Sequence, residues 1–389
     1  MTTRHIQISG LVQGVGFRPY VYHLASENCL KGWVRNSTAG LEVLIQGDNE
    51  DCENFLGSLP KQVPVGTDIQ KIQIKDLDHT KLDGFSIISS KNGFDVNTDI
   101  APDLATCELC LEDIYKQPRR YHHLFTSCIH CGPRFSIIKK VPYDRDNTTM
   151  NDFAMCSGCK EEYEDIHNRR FHAQPIACLS CGPHYILNAE KKIISDQQEI
   201  VSLLVNMLGK GKIIAIKGIG GYHLLCDPFN DDVVKRVRRI KKRDNKPLAL
   251  LFKDLSTLRE YICIHPVEES LVFSSRRPIV IAEGKKSFSW YINQGLKSVG
   301  VMLPYMPLHF ILMDKLSLPA LVCTSANYSG EPLISDNEKA LKQLMPVCDA
   351  VLVHDRNIEN SQDDSVVKII GNQPVLIRRS RGYAPQPVS

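Results

Sequence analysis

Hydrophobic and polar positions alternate over short stretches of the first 90 residues and predict strands and two helices. Ile6 and Ile8 share one face of a strand over residues 5–9, and residues 17–29 have the spacing of a helix. Further strands are predicted at 33–36, 41–46, 69–77 and 84–88, with a second helix that begins after Asp48 and ends near residue 59. This order, βαββαβ, is typical of a ferredoxin-like sheet.

The last 190 residues show a different pattern, in which buried strands alternate with amphipathic helices. Helices are predicted at 199–208 and 231–242, and strands at 212–217, 248–252, 279–282, 320–324, 350–354 and 366–370. Such alternation favours an open, twisted α/β sheet with helices packed on it. The predicted organisation is therefore multidomain α/β, with domains at 1–91, 92–196 and 197–389.

The middle domain lacks strong periodicity and holds eight of the 14 cysteines, all in CxxC pairs. Two such pairs, separated by 17 residues in the first half and 18 in the second, suit a tetrahedral zinc site. An internal repeat also places Arg119-Arg120-Tyr121-His122 and Arg169-Arg170-Phe171-His172 before the second pair of each half. We expect two structural zinc ions in a small zinc-finger module, although spacing leaves open whether ligands pair within or between the repeats. The ligands are Cys107, Cys110, Cys128, Cys131, Cys156, Cys159, Cys178 and Cys181.

The alternative to zinc is four disulfides, which need an oxidising compartment. Residues 1–11 show no signal-peptide pattern, so we expect a cytoplasmic protein with reduced thiols. Lysine and arginine total 47 against 44 acidic residues, and this near balance gives the chain no global attraction to nucleic acid. No apolar run approaches the roughly 18 residues of a membrane span.

The loop before the first helix carries candidate chemistry. Its glycines let several backbone N–H groups converge at a helix N-terminus, and Arg18 adds a planar cationic fork for phosphate oxygens. The string GLVQGVGFR at 10–18, with GWVRN at 32–36 after the helix, resembles the acylphosphatase family. The resemblance implies that Arg18 binds phosphate with the loop amides and that Asn36 orients the water that attacks phosphorus.

A basic run between residues 235 and 246 ends at the mouth of a buried strand. Basic helix faces are usually solvated or bind nucleic acid, but the segment 324–330, TSANYSG, places hydroxyls and an amide after another strand, where α/β sheets bind ligands. Residues 241–243 and 325–327 resemble the KxR and SxN motifs of the YrdC family. The resemblance implies ATP as substrate, with Mg²⁺, and an acyl-adenylate and pyrophosphate as products. The binding residues it implies are Lys217, Lys241, Arg243, Lys246, Thr324, Ser325, Asn327, Ser365, Arg378 and Arg381.

Together, in this order, the three motif sets resemble the hydrogenase maturation carbamoyltransferases of the HypF family. The resemblance implies hydrolysis of carbamoyl phosphate to carbamate, then ATP-dependent formation of carbamoyl-adenylate for transfer to the C-terminal cysteine of the partner HypE. In that family a TsaD-like domain performs the transfer. We expect it to be absent here, so that the chain is either a fragment or a truncated gene product.

Two other classes of function remain as alternatives. A stand-alone acylphosphatase explains the first domain but assigns no role to about 300 residues. A zinc-dependent RNA-modification or nucleic-acid-binding protein would use the fingers and the basic run. The basic residues have no interleaved aromatic residues for stacking on bases, so we do not expect nucleic acid as a partner.

Overall fold

The computed structural model describes residues 1–78, 82–93, 98–189, 192–242, 246–327 and 330–387. Its first part is a ferredoxin-like sheet with strand order β4-β1-β3-β2-β5, in which neighbours are antiparallel except for the parallel pair β2–β5. Two helices pack on it, and the buried face of the sheet holds Ile6 and Ile8, as the alternation predicts. The elements are β1 Thr2–Leu11, α1 Phe17–Glu27, β2 Lys31–Ser37, β3 Gly40–Gly47, α2 Asn49–Ser58, β4 Asp68–Leu77 and β5 Phe85–Ile87.

The finger module that follows contains two short helices, α3 Glu108–Lys116 and α4 Ser157–Glu164. Each begins directly after the first cysteine of its repeat, because Cys107 and Cys156 occupy the N-cap positions with extended backbone. The rest of the module is built from turns and short 3₁₀ segments. With so little regular structure, cysteine clusters take the place of a large apolar core.

The third part is a mixed sheet of twelve strands among the described residues, in the order β17-β16-β12-β13-β10-β14-β9-β8-β15-β6-β7, with β11 paired to β12. The strands are β6 Tyr185–Ala189, β7 Lys192–Ile194, β8 Ile214–Lys217, β9 Tyr222–Cys226, β10 Ala249–Phe252, β11 Ile262–Cys263, β12 Ile279–Gly284, β13 Ser298–Met302, β14 Ala320–Ser325, β15 Ala350–His354, β16 Val366–Ile370 and β17 Gln373–Arg378. The helices are α5 Gln197–Gly209, α6 Asp231–Lys241, α7 Leu255–Tyr261, α8 Pro266–Phe273, α9 Pro307–Lys315 and α10 Asn337–Leu344.

Both faces of the central strands of this sheet are buried. Side chains of α6, α7, α8 and α10 pack on one face, and those of α5 and α9 on the other. Successive residues of a central strand alternate between the two cores: Leu250 joins the first and Leu251 the second. Ile114 and Phe125 of the finger module also pack into the second core, so the module is docked on the sheet.

The fold class expected from the sequence is confirmed, although many elements of the third part and both helices of the finger module were not predicted. The hairpin β6–β7 lies in residues assigned to the finger module, yet it pairs with β15 in the large sheet. Strands β9, β11, β13 and β17 and helices α7, α8, α9 and α10 were not predicted. Asp48 occupies the N-cap position of α2 but makes no side-chain hydrogen bond there. Among the described residues no helix combines the length and the apolar character that crossing a membrane requires.

Asp103 ties the finger module to the third part of the chain although it is completely buried. Its carboxylate accepts hydrogen bonds from the backbone N–H groups of Arg134 (2.6 Å) and Ser136 (3.2 Å) and from the Ser136 hydroxyl (2.8 Å). The side-chain amide of Gln362 donates to the same carboxylate. Burial raises the pKa of Asp103, and these donors oppose that effect.

Candidate metal centres and anion-binding sites

The eight paired cysteines form two separate clusters, one in each repeat. Neighbouring Sγ atoms are 3.6–3.7 Å apart in the first cluster and 3.6–3.8 Å apart in the second. A tetrahedral zinc with Zn–S bonds of about 2.3 Å requires sulfurs about 3.8 Å apart, so both donor sets fit the metal. Pairing within each repeat answers the question that spacing left open. The first set is Cys107, Cys110, Cys128 and Cys131, and the second is Cys156, Cys159, Cys178 and Cys181.

The arginine pairs of the repeats are exchanged between these clusters. Arg119, from the first repeat, donates to Cys156 and Cys159 of the second at 3.3 Å each. Arg169, from the second repeat, donates to Cys110 of the first at 3.3 Å. Four thiolates and one Zn²⁺ carry a net charge of −2, which a neighbouring guanidinium partly neutralises.

Carboxylates hold these arginine pairs in place. Glu162 of α4 accepts from Arg119 at 3.0 Å and from Arg120 at 2.7 Å. Asp113 of α3 pairs with both Arg169 and Arg170. Each helix therefore binds the arginines of the opposite repeat, and the two fingers form one interlocked unit.

Arg18 and Asn36 lie at the same small cavity. Gly14 and Gly16 have positive φ angles of 75° and 82°, and these let the loop turn sharply into α1, which begins at Phe17. Gln13 fixes the loop by donating to the carbonyls of Ser37 (2.7 Å) and Gly40 (2.8 Å). The cavity has a volume of about 30 Å³.

The finger module covers this cavity. The backbone carbonyl of Tyr143 accepts from Arg18 Nη2 at 3.3 Å and from Asn36 Nδ2 at 3.2 Å. The carboxylate of Asp144 lies 2.8 Å from Arg18 Nη1. His172 also lines the cavity, and burial lowers its pKa to about 4, with Arg18 adding to the effect. Sequence reasoning missed all three residues, because nothing in their local pattern connects them to a loop more than 100 residues earlier.

A larger cavity of about 160 Å³ lies beside the first. The two share Gly14, Ile129 and Arg134, and the larger one is also lined by Ser275 and Arg276 of the third part. All three parts of the chain thus meet next to the candidate phosphate loop.

Near the second predicted site, Lys241, Ser325 and Asn327 form one cluster. Lys241 is 2% exposed, and its Nζ donates to the Ser325 backbone carbonyl, to Asn327 O at 3.2 Å and to Asn327 Oδ1 at 3.4 Å. The Ser325 hydroxyl donates to Asn327 Oδ1 at 2.7 Å. The KxR and SxN segments are therefore neighbours, although Arg243 lies outside the described residues.

A cavity of about 170 Å³ opens beside this cluster. Of the residues predicted to bind nucleotide, four line it: Lys246, Thr324, Ser325 and Arg378. Asp363 and Asp364 also line it, and neither was among the residues predicted to bind nucleotide. Arg378 pairs with Asp363 and donates to the Asp364 carbonyl at 2.8 Å.

Two other predicted residues, Ser365 and Arg381, are engaged in buried contacts. The Ser365 hydroxyl donates to the Arg381 carbonyl at 2.9 Å and accepts from Ser380 N at 2.7 Å. Arg381 bonds Asp364 Oδ1 at 2.7 Å and stacks 3.7 Å over the Tyr305 ring.

Lys217 is not among the residues lining this cavity. Its Nζ donates to the carbonyls of His354 and Arg356, at 3.1 Å each. Burial lowers the pKa of Lys217 to about 8.

Comparisons with known proteins match all three parts of the chain. An acylphosphatase model matches residues 4–87, a HypF finger model matches 106–138 and 155–187, and a Sua5/YciO/YrdC model described as telomere recombination matches 206–380. Carbamoyltransferase HypF of Rhodobacter capsulatus is 40% identical over 386 residues, covering 99% of this chain and 51% of that protein. Over its whole length the chain is therefore similar to the HypF family.

Further relatives support this assignment. Carbamoyltransferase HypF of Synechocystis is 42% identical over 100% of this chain and 51% of that protein. A crystal structure of full-length HypF in a phosphate- and nucleotide-bound form has a TM-score of 0.95 and 41% identity, over 99% of this chain and 51% of that one. The crystal structure of T. kodakarensis HypF has a TM-score of 0.90 and 42% identity, over 99% of this chain and 50% of that one. The chain spans about half the length of the curated relatives it matches.

Proposed function

We propose that this chain carries the first two reactions of the carbamoyl transfer that serves hydrogenase maturation in the cytoplasm. At the first site carbamoyl phosphate is hydrolysed to carbamate and phosphate. At the second site carbamate attacks the α-phosphorus of ATP, giving carbamoyl-adenylate and pyrophosphate. The carbamoyl group then passes to the C-terminal cysteine of HypE.

The observation that carries the proposal is the convergence of Arg18 and Asn36 on one covered cavity at the N-terminus of α1. Arg18 and the loop amides neutralise the phosphoryl oxygens, and Asn36 holds the attacking water through its side-chain oxygen. A new O–P bond forms as the bond between phosphorus and the carbamoyl oxygen breaks, so carbamate leaves as the anion. Because this leaving group is good, positioning and charge neutralisation suffice.

At the second site, the Lys241–Ser325–Asn327 cluster beside the cavity supports the adenylation step. Lys241 and Arg243 stabilise the charge that develops as pyrophosphate leaves, while Ser325 and Asn327 hold the nucleotide or carbamate. Lys246, Thr324 and Arg378 line the cavity beside them.

Magnesium is expected with ATP, but the acidic residues here suit it poorly as protein ligands. Asp364 already binds Arg381 and His223, and Asp363 pairs with Arg378. A metal ion at this site would therefore be held chiefly by the nucleotide phosphates.

The cavity of about 160 Å³ supports a sheltered path between the sites, because it joins the phosphate loop to Ser275 and Arg276. Carbamate decomposes readily in water, so shelter would preserve it. The contacts of α6 disfavour a nucleic-acid role: Arg236 bonds Asp349 at 2.8 Å and Arg238 bonds the Ile292 carbonyl at 3.2 Å.

The test is to supply the purified protein with ATP, Mg²⁺ and carbamoyl phosphate and to measure phosphate release and exchange of labelled pyrophosphate into ATP. We expect both, and we expect bicarbonate with threonine not to replace carbamoyl phosphate. ADP as the only nucleotide product would contradict adenylation, and exchange driven by bicarbonate and threonine would indicate RNA modification instead.

A further inference from the structure

His172 belongs to the second finger, yet its side chain lines the cavity of Arg18 and Asn36. Its backbone is fixed on both sides, since His172 N donates to the Tyr163 carbonyl at 2.9 Å and its own carbonyl accepts from Gln174 Nε2 at 2.7 Å. The φ angle of 54° is in the left-handed region, where a non-glycine residue costs about 1–2 kcal/mol. A strained conformation held this firmly is common at binding sites.

Three residues that line this cavity have a buried side-chain atom without a hydrogen-bond partner among the described residues: Asn36 Oδ1, Tyr143 Oη and His172 Nδ1. A buried polar atom without a partner is costly, so each is poised to bond a ligand. Asn36 Oδ1 is used by the attacking water in the proposed hydrolysis. His172 Nδ1 has no role in the hydrolysis carried out by Arg18, the loop amides and Asn36.

The chemistry of the imidazole indicates which ligand group it suits. With its pKa lowered to about 4, the ring is neutral at physiological pH and one nitrogen has a free lone pair. An acyl phosphate offers its phosphoryl oxygens to Arg18 and the loop amides, and its acyl end then extends into the covered part of the cavity. An amino substituent there donates an N–H hydrogen bond, whereas a methyl group cannot.

We propose that His172 is a specificity-determining residue of the first site, whose Nδ1 accepts a hydrogen bond from the amino group of a carbamoyl substituent. This inference rests on the proposed acyl phosphate hydrolysis and adds the reason for its selectivity. The second finger thereby contributes to substrate recognition as well as to structure.

The first repeat offers a matched control. His122 occupies the equivalent position and has nearly the same φ angle, 56°. Its ring stacks on Tyr121 with centroids 4.1 Å apart and is not among the residues lining the first cavity. Alanine at either position therefore imposes the same backbone strain, but only His172 faces the site.

The experiment compares kcat/KM for carbamoyl phosphate and acetyl phosphate in the wild type and in His172→Ala, His172→Asn and His122→Ala. The ratio of the two values does not depend on the active fraction, so partial unfolding of a variant does not obscure it. We expect His172→Ala to lower the preference for carbamoyl phosphate about tenfold, the value of one hydrogen bond.

His172→Asn should retain much of the preference, because an amide oxygen replaces Nδ1 and asparagine tolerates the left-handed backbone. His122→Ala should leave the ratio unchanged. An unchanged ratio in His172→Ala, or equal losses with both substrates, overturns the specificity role while leaving hydrolysis intact. If the wild type hydrolyses neither compound, the proposed function fails and this inference fails with it.

Discussion

Arg119 and Cys159 belong to different repeats of the finger module, yet Arg119 Nη2 lies 3.3 Å from Cys159 Sγ. The reciprocal contact joins Arg169 Nη1 to Cys110 Sγ at 3.3 Å. Each cysteine cluster is therefore completed by a cation from the other repeat. Neither finger has its full electrostatic environment alone.

The first prediction concerns this exchange of arginines. We expect two zinc ions per chain, and Arg119→Gln should weaken only the ion in the second repeat, about 10- to 100-fold, because that site loses its donor to the thiolates. Chelator competition followed by cysteine alkylation and peptide mass spectrometry identifies the site that opens. The control is Lys160→Ala, since Lys160 is exposed on α4 and pairs only loosely with Glu164, at 3.9 Å. Faster alkylation of Cys107 and Cys110 in Arg119→Gln would contradict the assignment.

The second prediction separates the roles of Arg18 and Asn36. Arg18→Ala should lower kcat/KM for carbamoyl phosphate by about 10²–10³ or more, because the loop amides alone leave the phosphate charge underneutralised. Asn36→Ala should lower kcat more than it raises KM, since its role is to orient water. Steady-state kinetics of phosphate release measure both. A raised KM with kcat intact in Asn36→Ala would mean that this residue binds phosphate instead.

The third prediction concerns Asp144, whose carboxylate occupies Arg18 at 2.8 Å. A phosphate must compete with this carboxylate for the same guanidinium. Asp144→Asn should therefore lower both KM for carbamoyl phosphate and the inhibition constant of phosphate, by about fivefold for an ion pair worth about 1 kcal/mol. Asp146→Asn is the control, because Asp146 lies two residues later and is exposed. A higher KM in Asp144→Asn would show that Asp144 positions Arg18 for the substrate.

The fourth prediction joins the two catalytic sites. Lys241→Ala should abolish pyrophosphate exchange and leave phosphate release from carbamoyl phosphate unchanged, because it lies only at the second site. Arg18→Ala should stop the exchange as well, although it lies in another domain, because carbamate must first be made there. Arg239→Ala, on the exposed face of α6, serves as control. Undiminished exchange in Arg18→Ala would mean that the domains work independently.

The sequence predicted most elements because their periodicity is local. Strands β8, β10, β14 and β15 are short apolar runs, and each was located to within two residues at either end. Strand β9 was missed: it follows β8 after a turn of only four residues, 218–221, and no element was predicted between residues 217 and 231. The exposed edge strand β17 has little hydrophobic alternation.

The residues of the candidate sites differ in the same way: some follow from a local motif and others from packing between modules. Residues within one motif, such as Arg18 and Ser325, lie at the predicted places, because a loop and the helix or strand beside it determine them. The cover formed by Tyr143, Asp144 and His172 depends on packing between modules, which no local pattern reports. The apposition of each arginine pair to the opposite finger has the same origin.

The burial of Asp103 constrains the order in which the nascent chain reaches its final structure. Its carboxylate is buried together with Gln362, which lies 259 residues later in the chain. During synthesis the acylphosphatase-like domain and both fingers emerge before that amide exists, and contacts of such separation form late. The cover over Arg18 therefore reaches its final position only after the third part of the chain has been made. In a nascent chain the loop before α1 is therefore made long before Tyr143, Asp144 and His172 are fixed over it.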